Sequence, residues 1–182
     1  MASPWPWSSR TRESTERGPS SYREATMDRT TLRKELRRIV SGGEPRRAAL
    51  EKVAALIKES GNHRWVGLYD VDPTAGLVSN MVWSGPGAPE FRTFPITKGL
   101  TGSAISTRKT VNVGNVRSDP RYLTAFGTTK SEIIVPIFDS TRENVVGTID
   151  VESEQPNAFD PQTEGLLEEC AELLAPLWRA SH

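Results

Sequence analysis

Cysteine is nearly absent from this chain of 182 residues. The single one, Cys170, cannot close an internal disulfide, and its isolation excludes paired-cysteine redox motifs and zinc knuckles. Histidine is almost as scarce, with only His63 and His182. A Cys-His-His metal site would need all three residues together, and a Cys-His catalytic pair has no better support. Neither sign of charge dominates. With 23 basic and 23 acidic residues, no strong field favours nucleic acid or an anionic membrane. No apolar run approaches the roughly 20 residues that span a bilayer. The N-terminus lacks the apolar core of a secretory signal. No dinucleotide-binding or P-loop motif is present, and Gly85-Pro86-Gly87 is only a turn signal. No Asp-x-Asp-x-Asp-Gly run offers a calcium loop. These absences lead to the expectation of a cytoplasmic protein without cofactor or metal, and without nucleic-acid or membrane partners.

What is present is unevenly spread. Residues 1–27 are rich in Ser, Arg, Thr, Glu and Pro without a period, and read as a disordered N-terminal tail. Trp5 and Trp7 are odd in such a segment and would suit docking on a partner. Met27, directly before the first periodic segment, is an alternative start. Residues 28–44 form an N-terminal helix, with Leu32, Leu36, Ile39 and Val40 at helical steps and Gly42 and Gly43 ending it. The rest of the chain, 45–182, reads as one domain. A second helix runs from about Pro45 to Glu59, with Pro45 in its first turn. Strands follow at Trp65–Val71 and Val78–Trp83, joined by the turn chemistry of Asp72-Pro73-Thr74-Ala75-Gly76. Phe91–Ile96 is extended, Lys98–Arg108 contains a helix, and Val111–Val113 is a brief strand. Asn115–Gly127 is loop. Glu132–Phe138 and Val145–Val151 make a second hairpin. The last helix has Asp160 as N-cap and Pro161 as first residue. Leu166, Leu167, Cys170, Leu173, Leu174 and Leu177 form its stripe. The fold class is α+β: a central antiparallel sheet with N- and C-terminal helices on one face and a middle helix and loops over the other.

Lys98-Gly99-Leu100-Thr101-Gly102-Ser103-Ala104 resembles the turn into the helix beside the ligand cavity of GAF domains. Two further stretches, Ser131-Glu132-Ile133-Ile134-Val135-Pro136-Ile137 and Val146-Gly147-Thr148-Ile149-Asp150-Val151-Glu152-Ser153, match the same family in the same order. The resemblance covers about Ala48 to Trp178. Within the family the chain is similar to free methionine-(R)-sulfoxide reductases, whose first strand is matched by Trp65-Val66-Gly67-Leu68-Tyr69. The resemblance implies a GAF-like fold, with a deep pocket under the middle loops. It also implies a small amino-acid-like ligand whose ammonium meets acidic side chains. The reductases carry cysteines in three places, and none is present here. Glu90 and Phe91 stand near the first, Thr101 at the second and Ala125 near the third. Thiol-dependent reduction needs a thiolate to attack sulfur and a second thiol to resolve the product. The Thr101 hydroxyl stays protonated and has no redox cycle. Cys170, on a Leu-rich helix face, reads as a core residue.

The candidate ligand-binding residues are Glu132, Asp150, Glu152, Trp83, Phe91, Thr101 and Tyr122. Asp150 and Glu152 are two apart and share a strand face. Carboxylates in apolar strands are costly when buried unpaired. They therefore meet either a cationic ligand or a salt-bridge partner among Arg92, Lys98 and Lys130. Trp83 and Phe91 flank the pocket loops, to stack on a ligand or to pack in the core. Tyr122 and Phe126 lie in the longest loop, a candidate lid. His63 is expected at the surface or in a turn. The expected function is a non-catalytic small-molecule-binding sensor. The alternatives are a sulfoxide reductase working by another route and a ligand-free dimerisation module. A homodimer is expected through the terminal helices, because the apolar stripe of the first helix lies outside the compact domain. The competing arrangement folds that helix back on its own sheet.

Overall fold

The computed structural model describes residues 27–61, 63–124 and 126–179. The tail with Trp5 and Trp7 lies outside the described residues, as do Asn62, Ala125 and His182.

Helix α1 (Arg29–Ser41) begins at a capped end. The Asp28 carboxylate accepts from the backbone N–H of Thr30 at 2.9 Å and of Thr31 at 3.0 Å, satisfying two donors the helix cannot pair itself. Helix α2 (Arg46–Ser60) has Pro45 at its N-cap rather than inside its first turn. Helix α4 (Pro161–Leu174) starts with Pro161, and the Asp160 carboxylate accepts from the Thr163 N–H at 2.7 Å. It ends before Pro176, which opens the short helix α5 (Pro176–Arg179). Leu177, expected on the stripe of the last helix, thus sits in a separate piece. Proline has no N–H with which to continue the helix.

The strands are β1 (Trp65–Asp72), β2 (Leu77–Ser84), β3 (Thr93–Pro95), β4 (Val111–Val113), β5 (Ser131–Phe138) and β6 (Val145–Ser153). Helix α3 (Gly99–Thr107) lies between β3 and β4, and a single 3-10 turn, Val116–Ser118, follows β4. The six strands form one antiparallel sheet in the order β3-β2-β1-β6-β5-β4. The β1–β2 turn is tied by Asp72, whose carboxylate accepts from the N–H groups of Thr74 and Ala75, both at 2.9 Å. Gly76 completes that turn at φ +70°, a region that glycine enters without strain. Pro136 sits in β5 beyond the reach of β4, which pairs only with Glu132 to Ile134. Its missing N–H therefore breaks no ladder on that side.

Alternation along the strands builds two layers of packing. Val66, Leu68, Ile133, Val135, Ile137, Ile149 and Val151 face α1, α2 and α4 in the main core. Cys170 is buried in that helical layer. Trp65, Tyr69, Val71 and Val78 point to the other face, where Leu100 and Ala104 of α3 cover Ile134. Both faces of β5 are covered, which is why it reads as an unbroken apolar run.

Two expectations are corrected. Helix α1 is part of this core, since Leu32, Leu36 and Ile39 are buried inside the chain. Arg33 fastens α1 to α4 through Glu169, with Nε donating at 2.7 Å. The stripe is satisfied by the chain's own layers, so it supplies no exposed patch to drive pairing. His63 is likewise buried rather than on the surface. It packs on Phe159 with ring centroids 5.7 Å apart, and its backbone N–H donates to the Lys58 carbonyl at 2.9 Å. Burial, aided by the Lys58 charge, pushes its pKa down to about 4.

Candidate functional site

The register of the sheet assembles the acidic residues. Glu132 on β5 and Glu152 on β6 are direct cross-strand partners, and Asp150 lies two residues along the same face of β6. Like charges directly opposed on a sheet destabilise it, and these are also buried. Glu132 is 7%, Asp150 6% and Glu152 0% exposed. Each keeps one carboxylate oxygen without a hydrogen-bond partner: Glu132 Oε2, Asp150 Oδ1 and Glu152 Oε1. Opposite Asp150 on β1 stands Gly67. A side chain there would collide with the Trp65 ring, 2.2 Å from an added Cβ.

Burial is the main force on these groups. It holds the Glu132 carboxyl well above the usual range, and Asp150, Glu152 and Asp119 add repulsion. Asp150 is raised by burial and then by Glu152. Glu152 is pushed up to about 7 by burial, against the pull of the Thr129 hydroxyl, which donates to it, and of Arg64. The Tyr69 phenol is raised by burial and by the same three carboxylates.

Glu132 and Asp150 open into a small cavity of about 30 Å³. Tyr69 and Phe94 form one wall, edge to face with ring centroids 5.9 Å apart. Leu123 and the first turn of α3, Gly99 to Thr101, form another. Gly99 takes φ +75°, and a Cβ on Gly102 would lie 2.5 Å from the Thr97 carbonyl carbon. These two glycines let the helix start against the cavity. Its N-cap, Lys98, gives no side-chain hydrogen bond, and no acidic residue occupies its first turn. The first N–H groups of α3 thus have no side-chain cap from Lys98.

The residues expected from the sequence separate here. Glu132, Asp150, Phe91 and Thr101 line the cavity, with Phe91 43% exposed at its rim. Glu152 lies on the same sheet face but does not line it. Trp83 packs in the β1–β2 cluster under the Arg92 guanidinium, 5.1 Å from its ring centroid. Tyr122 packs against the Leu100–Ile134 cluster. Sequence reasoning missed Tyr69, Phe94 and Leu123. Tyr69 was findable, since it alternates with Trp65 and Gly67 against Val66 and Leu68. Among the described residues no ion pair joins Arg92, Lys98 or Lys130 to the three carboxylates. The neighbouring cation is Arg64, whose Nε donates to Glu154 at 2.6 Å and whose guanidinium lies 4.7 Å from the Phe126 centroid.

A larger groove, about 690 Å³, runs between α4 and the β5–β6 turn. Its carboxylates are already engaged. Glu164 accepts from Asn112 at 2.8 Å, Glu168 from Thr110 at 2.6 Å and Glu172 from Arg142 at 3.1 Å. The smaller cavity is the better candidate, because unpartnered buried charge is what a ligand would satisfy. No group of three or more His, Cys, Asp or Glu among the described residues is placed to hold a metal ion. No helix among them is long and apolar enough to cross a membrane.

Comparison with known proteins agrees with the fold. The family model of the GAF domain matches residues 45–176. The chain is 31% identical over 136 residues to GAF domain-containing protein A of Dictyostelium discoideum, covering 75% of this chain and 83% of that protein. It is 33% identical over 112 residues to the free methionine-R-sulfoxide reductase of Saccharomyces cerevisiae, covering 60% of each. Among solved structures, the free methionine-R-sulfoxide reductase of Neisseria meningitidis in complex with its substrate aligns with a TM-score of 0.76. That match has 29% identity and covers 84% of this chain and 89% of the other.

Proposed function

The chain belongs to the GAF domain family, which often binds small molecules, and from that premise we propose that it is a regulatory sensor domain for a compact, amino-acid-like amine and does not reduce it. The observation that carries the reading is the trio of buried carboxylates with unpartnered oxygens, two of them facing a small cavity. An ammonium satisfies such oxygens by charge and by its three donors. The open N-terminus of α3 suits the carboxylate of the same zwitterion. Tyr69, Phe94 and Leu123 offer apolar walls for a side chain. A cavity of about 30 Å³ holds only about two waters. Binding therefore requires the loops between β2 and β3 and between β4 and β5 to part.

The absence of reduction rests on the thiol inventory. The one cysteine, Cys170, packs in the helical layer on the opposite face of the sheet. Burial and the Glu169 charge push its pKa up to about 12, so a thiolate is not formed near neutral pH. The same proposal places the protein in the cytoplasm and its read-out in the terminal helices. A homodimer through them would use the outer faces of α1 and α4, because the inner stripe of α1 is already buried.

The test is paired. Free methionine-(R)-sulfoxide is supplied with a thioredoxin system, and reductant consumption is followed. The same compound is titrated by calorimetry. Binding without turnover is expected. Turnover lost in Cys170→Ser would overturn the non-catalytic reading, and turnover that survives that variant would overturn the thiol argument altogether.

A further inference from the structure

An empty site must neutralise its own charge. Glu132 and Glu152 oppose each other across β5 and β6, with Asp150 beside them on the same face. All three are more than nine-tenths buried, and each has an unpartnered oxygen. The charged and polar groups that surround them offer little compensation. From β1 comes the Tyr69 phenol, held neutral. From the loop before β5 comes the Thr129 hydroxyl, donating to Glu152. Beyond the 3-10 turn stands Asp119, a further negative charge acting on Glu132, itself paired with Arg121. From α3 comes only the Thr101 hydroxyl. Arg64, ahead of β1, is paired with Glu154 through Nε, and its charge favours ionised Glu152 but relieves neither Glu132 nor Asp150. Three carboxylates this close and this dry cannot all ionise without a cation among them, and their protons come off as properties of the group.

We propose that the empty site retains at least one proton shared among Glu132, Asp150 and Glu152 at neutral pH, and that a cationic ligand enters in exchange for it. This rests on the reading that the cavity takes an amine. The exchange balances: a carboxyl O–H bond breaks, the proton passes to solvent, and the ammonium replaces it with the charge of the site unchanged. Occupancy then reports acidity as well as ligand concentration. Acid competes with the ligand for the same oxygens.

The experiment uses the full chain and has two arms. Carboxyl carbons are followed by NMR without ligand from about pH 4 to about pH 9, in the parent and in Asp150→Asn and Glu152→Gln. Free methionine sulfoxide and n-butylamine are then titrated by calorimetry in buffers of differing ionisation enthalpy. A carboxyl still protonated near pH 7, and heat that varies with buffer by about one proton per ligand, are the expected results. Affinity should tighten up to about tenfold per pH unit below that carboxyl's pKa. Three ionised carboxyls in the empty protein would overturn the proposal whether or not a ligand binds. Binding with buffer-independent heat would overturn the exchange and leave the amine reading standing. A retained proton that neither probe binds against or displaces would sink the amine reading, and the exchange with it.

Discussion

Replacing Glu152 with Gln should stabilise the empty protein, and the gain should depend on pH in a defined direction. Glu152 is fully buried, and its pKa is pushed up to about 7 from an ordinary 4.5. A carboxyl raised in the folded state costs nothing below its unfolded pKa. As pH climbs from about 4.5 through about 7, the unfolded state ionises first and folding loses ground. At roughly 1.4 kcal/mol per pH unit of difference, the full penalty is about 3 kcal/mol. Gln keeps the shape and can still accept from the Thr129 hydroxyl, but it carries no charge. Urea unfolding of parent and variant should therefore coincide near pH 4.5 and diverge by about 3 kcal/mol, in favour of the variant, at pH 8. Comparing the two at each pH cancels groups remote from the site, His63 among them, while Glu132 and Asp150, relieved of the Glu152 charge, add to the gain. A difference that stays constant across the range, or that favours the parent at pH 8, would refute the reasoning. It would mean that Glu152 is paired in solution.

His63 should work the other way. Its pKa is depressed to about 4 from 6.5, so its contribution is complete above about pH 6.5 and lost as pH falls towards 4. That loss is about 3 kcal/mol, and His63→Gln should flatten the acid limb of a denaturation series. Gly102→Ala forces a Cβ to within 2.5 Å of the Thr97 backbone, which cannot swing aside. Scanning calorimetry should show the melting temperature lowered by about 5 °C or more. Leu36→Glu places a charge at a wholly buried position and should cost more than about 4 kcal/mol, seen as loss of the cooperative transition by circular dichroism. A variant equally stable and merely monomeric would show that α1 leaves the core in solution. Cys170, buried and with its pKa pushed up to about 12, should react with a thiol reagent only in denaturant. Prompt labelling of the native chain would contradict that burial.

Much of the fold was legible because its signals are local. Asp28 and Asp160 cap helices with their own side chains, and Asp72 with Gly76 builds a turn from neighbouring atoms. The carboxylates were legible as a type, since acids in apolar strands demand explanation. Their pairing was not. That Glu132 faces Glu152, and that Arg92 turns to Trp83 instead, follows from register and from contacts between distant segments. The same holds for α1. Its stripe shows that one face must be covered, but not that α2 and α4 of the same chain cover it. His63 is hidden by Phe159, almost a hundred residues away in sequence, which periodicity around Asn62 could not reveal.

The strand order has a consequence for how the molecule comes into being. The halves of the sheet meet only at β1 and β6, where Trp65 pairs with Glu152. The β1–β2 and β5–β6 hairpins each form from nearby residues, whereas this seam closes a long loop, whose entropy is charged before its contacts are rewarded. Tyr69 belongs to one half, and Glu132 with Asp150 to the other. A nascent chain therefore has no cavity until β6 has been synthesised and docked, however early β1 leaves the ribosome. Closing the seam brings Tyr69 against acids that the β5–β6 hairpin has already gathered, so the free energy of that docking depends on how many of them are protonated.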